Sequence, residues 1–205
     1  MKKYIIYLFA MTMGLCGLSS CSEETEEDNE FADWAVRNEQ YLASIATDSM
    51  KQAGWQRIKN YSLNDSVEGG ISDYIYVDSI AHYDLGVNKQ GSPAFTDSVR
   101  VMYQGRLMPS ASYPRGKFFD KGTAVGTFSV ATSSTARFSV SGVVTGFTTA
   151  LQKMHVGDYW RVYIPSGLGY GTAGNGTSLP GSSVLVFDLV LVDYSPVGQV
   201  MDPWQ

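Results

Sequence analysis

Cysteine and histidine are nearly missing from these 205 residues, with two of each. Cys16 and Cys21 both lie near the start, so no disulfide framework and no thiol chemistry is available further along. Whatever folds beyond them must be stable by its core alone, which roughly 180 residues can manage as one domain or one domain with an appendage. His82 and His155 stand far apart, without an Asp, Glu or Cys cluster at metal-ligand spacing. His155 follows an expected helix and reads as a cation complementing the helix dipole rather than as a catalyst. Pro165-Ser166-Gly167 lacks the glycine spacing of a nucleophile elbow. Gly169 to Gly176 lacks the lysine and following helix of a phosphate cradle. Hydrolysis, phosphoryl transfer, metal and redox chemistry therefore all lack their parts. Positive charge is short as well: the net charge is −5, and −7 without Lys2 and Lys3, which argues against nucleic acid or an anionic lipid surface as partner.

What is present begins with Lys2 and Lys3, an apolar run from Tyr4 to Gly17, and Leu18-Ser19-Ser20-Cys21. A basic start, a short apolar core and small residues before a cut describe a secretory signal peptide over 1–20. The run is short for a ~30 Å hydrocarbon core, so a permanent transmembrane helix is the weaker reading. Leu-Ser-Ser-Cys resembles a bacterial lipobox, which implies that Cys21 is lipidated and becomes the new N-terminus. The alternative is an ordinary signal peptide with a cysteine near its cut. A multiply acylated terminus anchors stably, and the expected location is the outer membrane, on its periplasmic or cell-surface face. Residues 21–30 form an acidic tether, with six acids in the nine positions after Cys21. Such a stretch cannot bury apolar area and reads as solvated, either a spacer or a signal for surface display.

Residues 31–72 read as an N-terminal helix and loop. Phe31, Trp34, Asn38, Tyr41, Leu42 and Ile45 recur mostly at three- and four-residue steps. The helix is expected to run from Phe31 to about Lys51, capped by Asp28 or Asn29 and ended by Gly54, with its apolar face packed on the main domain rather than on a second copy. Residues 60–72 read as loop. From 73 to 205 short alternating runs take over, beginning at Tyr74-Ile75-Tyr76-Val77. Ser98 to Leu107 places Val99, Val101 and Tyr103 on one face. Tyr159 to Ile164 does the same with Trp160, Val162 and Ile164, and Val184 to Val192 is apolar on both faces, as a covered central strand would be. One helix interrupts them, Gly146 to Met154, with Phe147, Ala150, Leu151 and Met154 on one side and Gly157 expected to stop it. The fold class is α+β with a mainly antiparallel sheet.

Aromatic residues are in excess: Tyr103, Phe118, Phe119, Phe138, Phe147, Tyr163, Tyr170 and Phe187. Each alone reads as core; their order along the chain is more telling. Val101-Met102-Tyr103-Gln104-Gly105-Arg106-Leu107 precedes Phe118-Phe119-Asp120, then Val143-Val144-Thr145-Gly146-Phe147, then Met154-His155-Val156-Gly157. Ile164-Pro165, Tyr170-Gly171, Leu179-Pro180 and Leu185-Val186-Phe187-Asp188-Leu189 complete the series. Seven blocks in order, over about residues 74–194, resemble the FKBP-type peptidyl-prolyl isomerases. The resemblance implies an FKBP-like fold, a curved antiparallel sheet of five or six strands wrapped on one short helix, with the N-terminal helix as an addition.

It also implies a proline pocket between sheet and helix. By position, Asp120, Tyr170 and Phe187 would carry catalysis, and Tyr103, Phe119, Val143, Val144 and Phe147 would bind substrate. Phe147 stands where the family usually has Trp, Ala136 where it often has an aromatic, and the stretch between Asp120 and Phe138 is a longer Thr/Ser-rich insert. The implied activity is isomerisation of X–Pro bonds in extracytoplasmic polypeptides, with no cofactor, and macrolides are possible inhibitors. Two other classes fit parts of the sequence: a non-catalytic chaperone module of the same fold that grips proline segments, and an aromatic glycan-binding lipoprotein.

Overall fold

The computed structural model of the chain describes residues 30–203. The expected signal peptide at 1–20, Cys21, the acidic residues to position 29 and the caps Asp28 and Asn29 lie outside the described residues. Glu30, the last residue of the expected solvated tether, is buried, and its carbonyl accepts a hydrogen bond from Arg37 Nη1 at 2.7 Å. Among the described residues no helix is long and apolar enough to cross a membrane.

Helix α1 covers Trp34–Thr47 and is followed by a 3₁₀ turn, Ser49–Lys51. It ends earlier than the periodicity suggests, and Gly54 lies in the turn beyond it at φ +87°. Its buried stripe is Trp34, Asn38, Leu42 and Ile45. Asn38 is tolerated there because its side chain bridges backbone: Nδ2 donates to Trp34 O at 2.7 Å, and Oδ1 accepts from Val184 N at 2.8 Å. Trp34 Nε1 donates to Ser183 Oγ at 2.8 Å, so α1 is pinned to the start of the last strand, as expected of a helix packed on its own domain.

The strands are β1 (Trp55–Lys59), β2 (Tyr74–His82), β3 (Ser98–Leu107), β4 (Phe118–Asp120), β5 (Ala136–Ser139), β6 (Asp158–Ile164) and β7 (Leu185–Ser195). They make one antiparallel sheet in the order β1-β2-β6-β7-β3-β4, with β5 also paired to β3. The expected sheet on one short helix is therefore present, with a strand at Trp55–Lys59 that the sequence pattern does not reveal. None of its residues is fully buried and the half-buried ones do not alternate, so neither helical nor strand periodicity stands out. β7 lies between β6 and β3, and Leu185 to Asp193 are all buried.

The short helix α2 covers Thr145–Leu151 and packs on the sheet face formed by Val77, Val101, Val162, Ile164 and Leu189. The sequence suggests a one-sided helix, yet Gly146 to Leu151 are all buried. Thr148 and Thr149 survive burial by returning their hydroxyls to the carbonyls of Val140 and Thr145 at 2.7 and 2.8 Å. Gly146 is required by close approach, since a Cβ there would lie 2.3 Å from Ile164 Cγ2. α2 stops at Leu151, and Gly157 instead precedes β6. His155 therefore does not cap it: it is exposed, and its ring Nδ1 lies 3.7 Å from Asp158, which His82 Nδ1 also reaches at 2.9 Å.

The face of the sheet away from α2 is covered too. At one end Leu42 and Ile45 of α1 pack on Tyr76, Tyr163 and Val186. At the other, Phe128 and Val130 of the insert pack on Met102, Val190 and Val192. This is why Arg100, Met102 and Gln104, which alternate with the core residues of β3, are buried as well.

Candidate active site

Five aromatic rings meet where the inner face of β3 and β7 faces α2. Phe147 of α2 sits edge-on to Phe187 of β7 at 5.0 Å between centroids. Tyr103 of β3 contacts Phe138, Phe147 and Phe187 at 5.4, 6.2 and 6.4 Å, and Phe119 of β4 lies edge-on to Phe187 at 5.4 Å. Strand alternation delivers these rings: Tyr103 and Phe187 point to the α2 side while Gln104 and Asp188 point away. Gly105 pairs directly with Phe187. A Cβ at Gly105 would fall 2.6 Å from Phe119 Cζ and 2.9 Å from Phe187 Cε1, so its missing side chain is the space those two rings occupy. Phe147 and Phe187 are almost fully buried as floor, whereas Tyr103, Phe119 and Phe138 are partly open as walls.

One polar contact orders the wall. The Tyr103 hydroxyl donates to Asp120 Oδ2 at 3.0 Å, and Asp120 Oδ1 accepts from Gly122 N at 2.8 Å. Thr123 closes the turn onto the same strand: its N donates to Tyr103 O at 2.9 Å, and its Oγ1 accepts from Tyr103 N at 2.8 Å. Burial first, and then the Asp120 charge and hydrogen bond, push the Tyr103 pKa up to about 12. The hydroxyl therefore stays protonated and keeps donating at neutral pH.

Val143 and Val144 are half-buried at the entry of α2 and pack against the inner core. Tyr170 stands further out, 37% exposed, on the loop after the 3₁₀ turn Ser166–Leu168. It is near enough to Tyr103 to contribute to the raised pKa, and among the described residues its own hydroxyl has no partner. Of the eight residues expected at the pocket, Tyr103, Phe119, Asp120, Phe147 and Phe187 are in direct contact, Val143 and Val144 pack on the same core, and Tyr170 lies near Tyr103. Phe138 joins them although only its aromatic character marked it. Thr123 carried no recognisable signal, because a threonine after Gly122 is ordinary in a loop.

An apolar cluster of rings with a protonated Tyr103, and Tyr170 nearby, is chemically suited to contact with a small non-polar ring and to hydrogen bonding beside it. Residues 89–192 match the family described as FKBP-type peptidyl-prolyl cis-trans isomerase. Over 167 residues the chain is 42% identical to the FKBP-type 22 kDa peptidyl-prolyl cis-trans isomerase of Escherichia coli strain K12, covering 82% of this chain and 68% of that one. It is 33% identical over 100 residues to the outer membrane protein MIP of Legionella longbeachae, covering 49% of this chain and 37% of that one. The crystal structure of FkpA from Escherichia coli superposes with a TM-score of 0.57 at 25% identity, covering 81% of this chain and 63% of that one. On this sequence match and fold, the chain belongs to the FKBP-type peptidyl-prolyl cis-trans isomerases.

Proposed function

We propose that this peptidyl-prolyl isomerase acts on X–Pro bonds of polypeptides outside the cytoplasm, binding the proline ring among Tyr103, Phe119, Val143, Val144, Phe147 and Phe187. The observation that carries this reading is the closed cluster of rings ordered by the Tyr103–Asp120 hydrogen bond. Isomerisation crosses a barrier of ~18–20 kcal/mol because the twisted amide loses its resonance. No proton transfer and no covalent intermediate is needed, only tighter binding of the twisted form than of either planar form. The twisted carbonyl carries less charge separation than the planar amide. Phe119, Phe147 and Phe187 supply a dry surround that penalises it less. Asp120 holds the Tyr103 ring upright, and Tyr170 donates its unpaired hydroxyl to the substrate backbone.

The same reading extends to the ends of the chain. Residues 1–20 are the leader, Cys21 carries the lipid, and the acidic stretch before Glu30 is the spacer from an outer membrane. Macrolides compete for the pocket, more weakly than where an indole provides the floor, because Phe147 offers less area and no N–H donor.

The test is cis–trans exchange of an Ala-Phe-Pro-Phe peptide by a soluble chain beginning at Ser22. Acceleration that is lost in Phe187→Ala and reduced in Asp120→Val and Tyr170→Phe is the expected result. Exchange at the background rate in the unsubstituted chain would sink the proposal.

A further inference from the structure

On the opposite face of the sheet, between α1 and the insert, lies a groove of about 650 Å³. Its floor is a cross-strand row in which Gln104, Asp188 and Arg161 stand side by side. Asp188 is saturated: Arg161 Nε and Nη2 both reach Oδ1 at 2.8 Å, Gln104 Nε2 donates to Oδ2 at 2.7 Å, and the Tyr159 hydroxyl donates to Oδ1 at 3.3 Å. Arg106 and Arg115, on the same lining, are not paired with a carboxylate among the described residues. The Arg106 guanidinium lies 3.7 Å over the Phe118 ring and gives Gly116 O only a long 3.3 Å bond. Burial is the main cause that lowers its pKa; Asp188 opposes that shift, and the like charges of Arg161 and Arg115 add to it, so an anion beside Arg106 and Arg115 would replace hydration that Arg106 has lost.

Two further features select the ligand. Gln104 lines the groove, and among the described residues its buried Oε1 has no hydrogen-bond partner, an acceptor left open to an N–H or O–H donor. The rim is apolar and aromatic, with Tyr41, Pro109, Pro114 and Phe128. A bare phosphate makes no use of the apolar rim. An acidic stretch of polypeptide supplies carboxylates, backbone N–H groups and apolar side chains along one line. The positive patch is also local, since the chain as a whole is acidic, which disfavours indiscriminate attraction of anions.

We infer that this groove is a second peptide site, which holds an acidic, proline-free segment with its carboxylates on Arg106 and Arg115. Its occupancy does not depend on turnover in the aromatic pocket. The probe is a fluorescein-labelled octapeptide alternating glutamate with phenylalanine and alanine, titrated by anisotropy against the full chain in detergent micelles. The expected result is saturable binding that weakens with salt and is about tenfold weaker for the glutamine analogue and for Arg106→Gln. Arg115 is exposed, so Arg115→Gln folds; it weakens the acidic peptide by a similar factor and leaves exchange of the uncharged Ala-Phe-Pro-Phe peptide unchanged. Equal binding of the two octapeptides, indifference to Arg115→Gln, or displacement by the proline peptide would overturn the inference. Tighter binding of an oligouronate than of the acidic peptide would also overturn it, assigning the groove to glycans.

Discussion

The two faces of β3, β6 and β7 are built from alternate residues of the same strands, and only the outer one adds a charged row to its apolar packing. Inward lie Tyr103, Gly105, Trp160, Val162 and Phe187, all rings, aliphatics or empty space. Outward, one position along, lie Gln104, Arg106, Tyr159, Arg161 and Asp188, a polar row held by bonds between side chains. The inner face is covered by α2, which fits closely enough to require glycine at position 146. The outer face is covered from two ends by α1 and the insert, which leave a groove between them. A sheet buried on both sides thus keeps its charged row off the inner face, while the outer face sets that row between two apolar clusters. Strand alternation fixes which side each residue serves.

This contrast can be broken from the inside first. Phe187→Ala removes the ring shared by Phe119, Tyr103 and Phe147, and should lower unfolding stability by about 3–5 kcal/mol in denaturant titration while exchange falls to background. Asp188→Asn attacks the outer row. Arg161, left without its carboxylate, is 39% exposed in its side chain and can recover part of its hydration, so a loss of about 2 kcal/mol is expected. Exchange per folded molecule should stay near the unsubstituted value, and a collapse of activity would show that the faces are not independent.

Tyr103→Phe deletes one hydrogen bond between wall and turn and should cost about 1 kcal/mol. It also has a signature in alkali. The folded pKa of Tyr103, about 12, lies above the ordinary tyrosine value of 10, so its contribution is full below pH 10 and is lost as pH rises through 12. Unfolding stability followed from pH 9 to 12 should therefore fall less steeply in Tyr103→Phe, with Tyr159, raised to about 12 by burial and Asp188, accounting for part of what remains. Smallest of all, Arg115→Gln should change stability by no more than about 0.5 kcal/mol, since the residue is exposed.

Much of the inner face was legible beforehand because its residues come in short blocks whose spacing follows the strand period. Tyr103, Gly105 and Leu107 share one face of β3, and Phe187 and Leu189 share one face of β7. The outer face was legible only in part: Val184 to Val192 reads as covered on both sides, but its polar row does not show. Gln104 reads as a solvent residue until α1 and the insert are seen to cover it, and Phe128 and Val130 sit in a stretch whose Thr/Ser content points to an open loop. β1 was hidden by its own exposure, since an edge strand with little buried area carries little periodicity. The end of α1 was overestimated because charges continue past Thr47 at helical spacing, whereas the chain turns there toward β1.

What the sequence determined by itself is the family, the antiparallel α+β plan and the identity of the pocket rings, since all three are written in local spacing and residue type. Only the tertiary structure decided that Asp120 spends its oxygens on Tyr103 and Gly122. It alone brought Gln104, Asp188 and Arg161 into one row from three strands. Hydrogen bonds and charge pairs depend on register between segments distant in the chain, and a pattern read along one segment carries no record of what lies across from it.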